Sequence, residues 1–263
     1  MTVLVEDRYR EQAQPAGLVS ALRARGADVR LVGDRGAIPT DCLTGTDVVV
    51  ARGRSDRVLR ALAAAEQAGV PTLDGAAAVR KVRDKGEMTA RLLEVGLPVP
   101  RTFVGRGPDM SERLAPLWDA APGTHGWIVK PRFGDNSRGV ARADSLGSLA
   151  RRHEELVVQE FIPGSGADLK LYVIGTQVFA ARKPSPVTPC TLDPAELGPV
   201  VVTERLQEIA EKCGRAFGLT LFGVDCVESG PDLVVIEVND FPNYTHVPTA
   251  DDLLARHVLG SVR

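Results

Sequence analysis

Lys170 and Lys183 stand on the two arms of a predicted β-hairpin, Ala167 to Lys183, with Gly175-Thr176 as its two-residue turn. Glycine at the first central position suits a type II′ turn. Asp168, Lys170 and Tyr172 alternate with Leu169, Leu171 and Val173, so one face is polar and the other packs. The turn sets Lys183 opposite Asp168 and Ala181 opposite Lys170, which brings both ammonium groups and the carboxylate to one face; Arg182 points the other way. Lysine is a compact point charge suited to phosphate. The same spacing would also suit an ordinary salt-bridged, solvated sheet face.

A second predicted hairpin, Phe222 to Val238, turns around Ser229-Gly230-Pro231-Asp232. Glu237 and Asn239 are two apart on its second arm, so they share a face, and a register that sets Asp225 across from Glu237 puts two carboxylates side by side. Adjacent carboxylates destabilise a sheet unless something positive lies between them. Two carboxylates and an amide oxygen form a hard, all-oxygen set suited to Mg²⁺. A one-residue slip in register would instead leave a frayed, exposed strand end.

Between a predicted strand, Trp127 to Lys130, and a helix near Ser145 to Arg152 lies the Gly-rich loop Arg132 to Gly139. Its glycines, Gly134 and Gly139, let backbone N–H groups approach an anion, and Arg132 and Arg138 add charge. The loop is not a GxxxxGK[ST] phosphate loop. Asp135-Asn136-Ser137-Arg138-Gly139 misses a GxSxG nucleophile elbow by Asp in place of the first glycine.

The chain has 263 residues, of which 44% are hydrophobic and 25% charged, with a formal net charge of −2. That is a globular composition, long enough for one large or two modest domains. No apolar run approaches the ~20 residues of a membrane-spanning helix. The opening MTVLVEDRYR lacks a secretory pattern, so a cytoplasmic protein is expected. The charge balance gives no sign of nucleic acid. Cys42, Cys190, Cys213 and Cys226 form no CxxC pair. Only six of the 32 basic residues are lysines, namely Lys81, Lys85, Lys130, Lys170, Lys183 and Lys212, so the positions where lysine does occur carry weight.

The elements that must position these groups fall into three blocks. Up to about residue 75 the pattern reads β-α-β-β-α-β, which implies a small parallel sheet, and no GxGxxG follows the first strand. Helices follow over Gly75 to Lys81 and Lys85 to Val95, then an extended segment, Arg101 to Val104. Residues 105–125 read as a linker around one short helix near Ser111 to Leu117. The third block opens with the strand Leu156 to Phe161 and carries both hairpins. Between them come a Pro-rich loop, Pro184 to Pro199, and an amphipathic helix, Thr203 to Phe217.

Taken in order, Arg83-Asp84-Lys85, Val129-Lys130-Pro131 with its Gly-rich loop, Val158-Gln159-Glu160-Phe161-Ile162, Asp168-Leu169-Lys170, Gly223-Val224-Asp225 and Glu237-Val238-Asn239 resemble the ATP-grasp superfamily over essentially the whole chain. The first 105 residues are similar to the ribosomal-protein-S6 glutamate ligase and lysine-biosynthesis ligase branch, through Gly69-Val70-Pro71, Val82 to Lys85 and Gly96 to Thr102. The C-terminal half resembles inositol trisphosphate 5/6-kinases, through Lys170 to Gly175, Lys183-Pro184-Ser185 and Asn239 to Tyr244.

The resemblance implies a mixed α/β and α+β ATP-grasp fold. A small parallel N-terminal domain (1–75) would precede a central subdomain with a Gly-rich lid (76–155) and a C-terminal subdomain with the adenine hinge and metal site (156–263). ATP and one or two Mg²⁺ ions, with Mn²⁺ an acceptable substitute, are the implied cofactors. By the same resemblance Lys85 and Lys130 contact phosphates under a lid that includes Gly134, Ser137 and Gly139. Gln159, Glu160, Phe161 and Ile162 face the adenine, and Asp168 holds the ribose. Lys170, Lys183 and Arg138 act on the transferred phosphoryl group, and Asp225, Glu237 and Asn239 hold the metal. Arg182, Tyr244 and His246 are candidates on the acceptor side; the loop carrying the last two leaves the metal strand directly, and a packed C-terminal loop is the other reading of it. The expected reaction is ATP-dependent ligation of a small acid, amino acid or peptide to an amine through an acyl phosphate. A kinase acting on a hydroxyl is the alternative. A non-enzymatic nucleotide-binding subunit sits poorly with an intact lysine and metal set. No feature of the sequence sets an oligomeric state.

Overall fold

The computed structural model describes residues 1–118, 126–134 and 138–262. Its first layer is a parallel sheet. The strands are β1 (Thr2–Val5), β2 (Arg30–Gly33), β3 (Val49–Arg52) and β4 (Thr72–Leu73), in the order β2-β1-β3-β4. β1 and β3 are buried at every residue, as expected of central parallel strands covered by helices. The covering helices are α1 (Ala13–Ala24), a short α2 (Asp41–Thr44) and α3 (Asp56–Gln67). Ser55 starts α3 by accepting the Val58 N–H.

Two helices follow, α4 (Ala76–Arg83) and α5 (Lys85–Glu94), separated by the single residue Asp84. The Asp84 side chain accepts the N–H groups of Gly86 and Glu87, so Lys85 is placed at the first position of α5. Both helices bury their apolar residues (Val82, Met88, Leu92) with Leu171 and Val224 of the last sheet.

The second sheet is antiparallel. β5 (Thr102–Arg106), β6 (Trp127–Pro131), β7 (Ala141–Arg142) and β8 (Glu155–Glu160) take the order β5-β8-β6-β7. They are covered by α6 (Gly107–Trp118) and α7 (Leu146–Ala150). The expected linker helix is therefore longer, twelve residues. Pro108 sits in its first turn, where a missing N–H breaks no helical bond.

The third sheet holds β9 (Ala167–Ile174), β10 (Gln177–Pro184), β11 (Gly198–Val200), β12 (Leu221–Ser229) and β13 (Asp232–Asp240), in the order β11-β10-β9-β12-β13. Leu169, Leu171 and Val173 of β9 face α8 (Glu204–Phe217). On the opposite face, Tyr172 and Ile174 pack with Val3, Val5 and Leu18 of the first layer. The polar end of that face, Asp168 and Lys170, lies where this apolar seam stops. A last helix, α9 (Ala250–Gly260), lies beyond the elements read from the sequence pattern. Its Leu254, Ala255 and Val258 join the same seam, and α9 packs beside α1. Short β7 and β11 also escape a periodicity reading, because two or three residues carry no period.

Candidate active site

The first hairpin pairs as its turn requires, with Lys183 opposite Asp168 and Ala181 opposite Lys170. The second departs from simple turn counting in one instructive way. Ser229 pairs with Asp232 and Cys226 with Val235, a register that would set Asp225 across from Ile236. A β-bulge between Asp225 and Cys226 takes up one extra residue, so Asp225 pairs with Glu237 instead. Since one residue of slip moves side chains to the other face, the bulge is what turns Glu237 and Asn239 toward Asp225. Lys170, Asp225 and Glu237 then stand in one row across three strands.

Contacts within the row are short. Lys170 Nζ donates to Asp225 Oδ1 at 2.8 Å, and Asn239 Nδ2 donates to Asp225 Oδ2 at 2.7 Å. Lys85, 4% exposed, reaches Glu237 Oε1 at 3.1 Å and donates to the Gly134 carbonyl at 2.5 Å. Burial alone would raise the Glu237 carboxyl, but the charges of Lys85 and Lys130 overcome it and hold the group ionised below its usual range. Burial likewise works against the Lys170 ammonium, and Asp225 outweighs it, so its pKa is raised.

Lys130, at the end of β6, is different. It is 6% exposed, and among the described residues no carboxylate lies within 4.0 Å of its ammonium. Burial lowers its pKa, and Glu237 opposes that only from a distance. A buried ammonium without a close counter-ion is costly, so the site is built for an anion that arrives from outside. Asp225 and Glu237 side by side, with the Asn239 amide oxygen directed away from its bonded nitrogen, form an oxygen donor set that fits Mg²⁺.

Two cavities meet at these carboxylates. The first, about 130 Å³, is a slot with apolar walls that include Ile128, Val140, Phe161, Val227 and Ile236, and Asp168 and Lys130 also line it. Burial raises the Asp168 carboxyl, against a hydrogen bond with Ser185. At the hinge the N–H groups of Glu160 and Phe161 donate to the Arg101 and Gly126 carbonyls. Gln159 is buried, and its amide donates to Thr102 Oγ1 at 3.2 Å, which braces the hinge. The Arg142 guanidinium lies 4.1 Å over the Phe161 ring.

The second cavity, about 230 Å³, is dominated by charge: Arg52, Arg54, Lys170, Lys183 and Asp240 line it together with Asp225 and Glu237. Arg54 pairs with buried Asp240 at 2.6 Å. Lys183 Nζ donates to Thr245 Oγ1 at 2.9 Å and lies 5.3 Å over the Tyr172 ring. His246 is part-buried, and burial and then the nearby Lys183 charge lower its pKa, but it does not line the cavity.

Three expected site residues are not brought in. Arg182 faces α8 and pairs with Glu228 at 2.7 Å, because the strand alternation that aims Lys183 inward aims its neighbour outward. Tyr244 is 1% exposed and its hydroxyl donates to the Val173 carbonyl at 3.1 Å, so it belongs to the core seam rather than to an acceptor pocket. Arg138 is exposed on the loop. Gly139 holds φ +73°, where a Cβ would also strike Pro131. Asp135, Asn136 and Ser137 lie outside the described residues. Arg52 and Arg54 were missed. Their signal was an Arg-Gly-Arg run at the carboxyl end of a buried parallel strand, a usual place for ligand groups in such sheets.

The fold and this charged row define an ATP-grasp protein. Residues 82–255 match the family model of the RimK-like ATP-grasp domain, and the chain belongs to that family. A probable alpha-L-glutamate ligase of Legionella pneumophila (strain Corby) is 29% identical over 200 residues, covering 72% of this chain and 65% of that protein. A probable alpha-L-glutamate ligase of Xanthomonas euvesicatoria is 31% identical over 218 residues, covering 76% of this chain and 72% of that one. The chain thus spans about 65% of the length of the Legionella relative. Among solved structures, D-cycloserine synthetase DcsG superposes with a TM-score of 0.77 at 19% identity, over 100% of this chain and 99% of that one. An ATP-grasp RimK domain protein from Sphaerobacter thermophilus gives 0.73 at 22% identity, over 99% and 100%. The expected ATP-grasp fold and the likeness to the ligase branch are borne out.

Proposed function

We propose that the protein is an ADP-forming carboxylate–amine ligase. The observation that carries this is the meeting of an apolar slot and a charged cavity at Asp225 and Glu237, beside buried Lys130, which among the described residues has no carboxylate within 4.0 Å. The relatives named above are ligases, which favours amide formation over phosphorylation of an alcohol.

In this reading the base of ATP lies in the slot. The hinge N–H groups of Glu160 and Phe161 are engaged in the sheet, so the Glu160 carbonyl and the Ile162 N–H read the adenine edge. Asp168 accepts from the ribose. Lys85 and Lys130 hold the phosphates, and Asp225, Glu237 and Asn239 hold magnesium. Magnesium, when bound, shields the phosphate charge and polarises the transferred phosphoryl group. From the charged cavity, a carboxylate oxygen of the acid attacks the γ-phosphorus. The bond to the β-phosphate oxygen breaks, its electron pair leaves with ADP, and an acyl phosphate results. Lys170 and Lys183 stabilise the phosphoryl oxygens during this step. An amine nitrogen then attacks the acyl carbon, the C–O bond to phosphate breaks, and the amine proton passes to the departing phosphate or to water. The Gly-rich loop, with Arg138, closes over the site and keeps water from the acyl phosphate.

Among the described residues no helix is long and apolar enough to cross a membrane, consistent with work on soluble acids, amines or peptides in the cytoplasm. A screen of acids and amines for ADP release, with mass spectrometry of the products, tests the reading. Amide formation, with ¹⁸O passing from the acid's carboxylate into phosphate, is expected. A phosphorylated alcohol, or label that stays in the acid, would overturn it.

A further inference from the structure

The charged cavity holds more positive charge than activation of one carboxylate requires. Lys183, near the reacting end, has no carboxylate within 4.0 Å among the described residues, and one carboxylate of an acid would answer it. Arg52, which lines the same cavity, raises the same question a second time. It is 6% exposed, and its guanidinium is stacked 4.1 Å from the Tyr9 ring and 5.9 Å from that of Phe241. One terminal nitrogen donates to Gln12 Oε1 at 3.2 Å, but among the described residues its buried Nε has no hydrogen-bond partner and no carboxylate lies within 4.0 Å of the group. Its neighbour Arg54 has Asp240 at 2.6 Å, and the cavity's other carboxylates, Asp225 and Glu237, are held by Lys170 and Lys85.

The corner that presents these groups is preorganised. Gly53 holds φ +149°, and a Cβ there would come within 2.4 Å of the Glu6 side chain. Glu6 Oε2 accepts the N–H groups of Arg54 and Ser55, which locks the turn after β3. A buried guanidinium with an unpaired Nε, lying over the Tyr9 ring and lining the cavity, matches the planar fork that binds carboxylate or phosphate.

We propose that the acid activated by this protein carries a second anionic group, and that Arg52 is the residue that selects it. The proposal rests on the ligase reading and deepens it by naming the substrate class, a dianionic acid. One anion sits at Lys170 and Lys183 and reacts; the other sits at Arg52 and only anchors.

Hydroxylamine, which converts an acyl phosphate to a hydroxamate, serves as the amine. Glutarate and its monoamide, glutaramate, are compared as acids in the wild type, Arg52→Gln and Arg52→Lys. The wild type should use glutarate with kcat/KM at least about tenfold above glutaramate, the scale of a charge-assisted hydrogen bond. Arg52→Gln should bring the two acids within about twofold while the KM for ATP stays put, and Arg52→Lys should retain part of the preference. Unchanged circular dichroism and ATP affinity establish that the variants have folded. Equal use of both acids by the wild type, or a preference that survives Arg52→Gln, overturns the proposal and leaves the ligase reading standing. If neither acid yields hydroxamate, the cavity is read by thermal shift of the protein saturated with Mg-ADP. A larger stabilisation by glutarate than by glutaramate, lost in Arg52→Gln, supports the proposal, and equal shifts overturn it. Loss of ATP turnover with every acid and amine screened defeats the ligase reading by itself.

Discussion

The two cavities that meet at Asp225 and Glu237 are built by opposite rules. The slot is made by the second and third sheets, with apolar walls and its hinge N–H groups already bonded inside the sheet. It suits a flat base whose identity is read by few groups. The charged cavity is made by the first layer and the third sheet, and among the described residues it keeps buried Arg52 and part-buried Lys183 without a carboxylate within 4.0 Å. An apolar slot is stable when empty, whereas a buried guanidinium such as Arg52 is costly until an anion answers it. In the proposed reading the slot serves the nucleotide and the charged cavity carries the choice of acid.

Lys130→Met makes the largest break in that contrast. Lys130 touches the slot and faces the shared carboxylates, so ATP turnover should fall by at least about a thousandfold; nucleotide affinity at the wild-type level would contradict its phosphate role. Glu237→Gln removes a carboxylate common to both cavities. Magnesium-dependent activity should drop by about two to three orders of magnitude with the melting temperature little changed. A titration of activity against magnesium checks this.

Lys183→Ala tests the charged cavity alone. Its kcat should fall about a hundredfold with the KM for ATP near normal, while Arg182→Ala, on the far face, should cost less than about 1 kcal/mol of stability and leave turnover intact. The reverse order would upset the hairpin register. Tyr244→Phe sharpens the boundary further. It removes one buried hydrogen bond, about 1 kcal/mol in urea unfolding, and should leave acid preference unaltered.

The smallest effect lies outside both cavities. Burial pushes the Asp74 carboxyl up to about 6, against hydrogen bonds from the backbone of Leu221 and Thr220 and the Thr220 hydroxyl. The folded protein therefore holds that proton more tightly than the unfolded chain, whose Asp titrates near 4. Asp74's contribution to stability is complete below that value and is lost as pH rises through about 6. The difference in melting temperature between wild type and Asp74→Asn should move in the variant's favour over that window. A flat difference would contradict the shift.

Much of the site was legible in local sequence. A two-residue turn at Gly175-Thr176 leaves one register open to the first hairpin, and alternation then dictates that Asp168, Lys170 and Lys183 share a face while Arg182 does not. Capping by Asp84 places Lys85 with equal economy. The second hairpin was less determined. Its turn alone points Glu237 away from Asp225, and only the bulge corrects the face. A bulge is selected by packing: Val235 and Val238 are both fully buried against α8 and its neighbours, although they are an odd number of residues apart.

Sequence by itself determined most of the elements, the lysine-bearing hairpin and the residue types of the proposed metal site, because each depends on neighbours within a few residues. Tertiary structure decided that Tyr244 is core, that α9 returns to cover the first layer, and that Arg52 and Arg54 share a cavity with Lys183. Those outcomes depend on how the first layer seats on the third sheet through Tyr172, Ile174 and Phe241. Burial against a distant layer has no local periodicity, so no stretch of the chain could announce it.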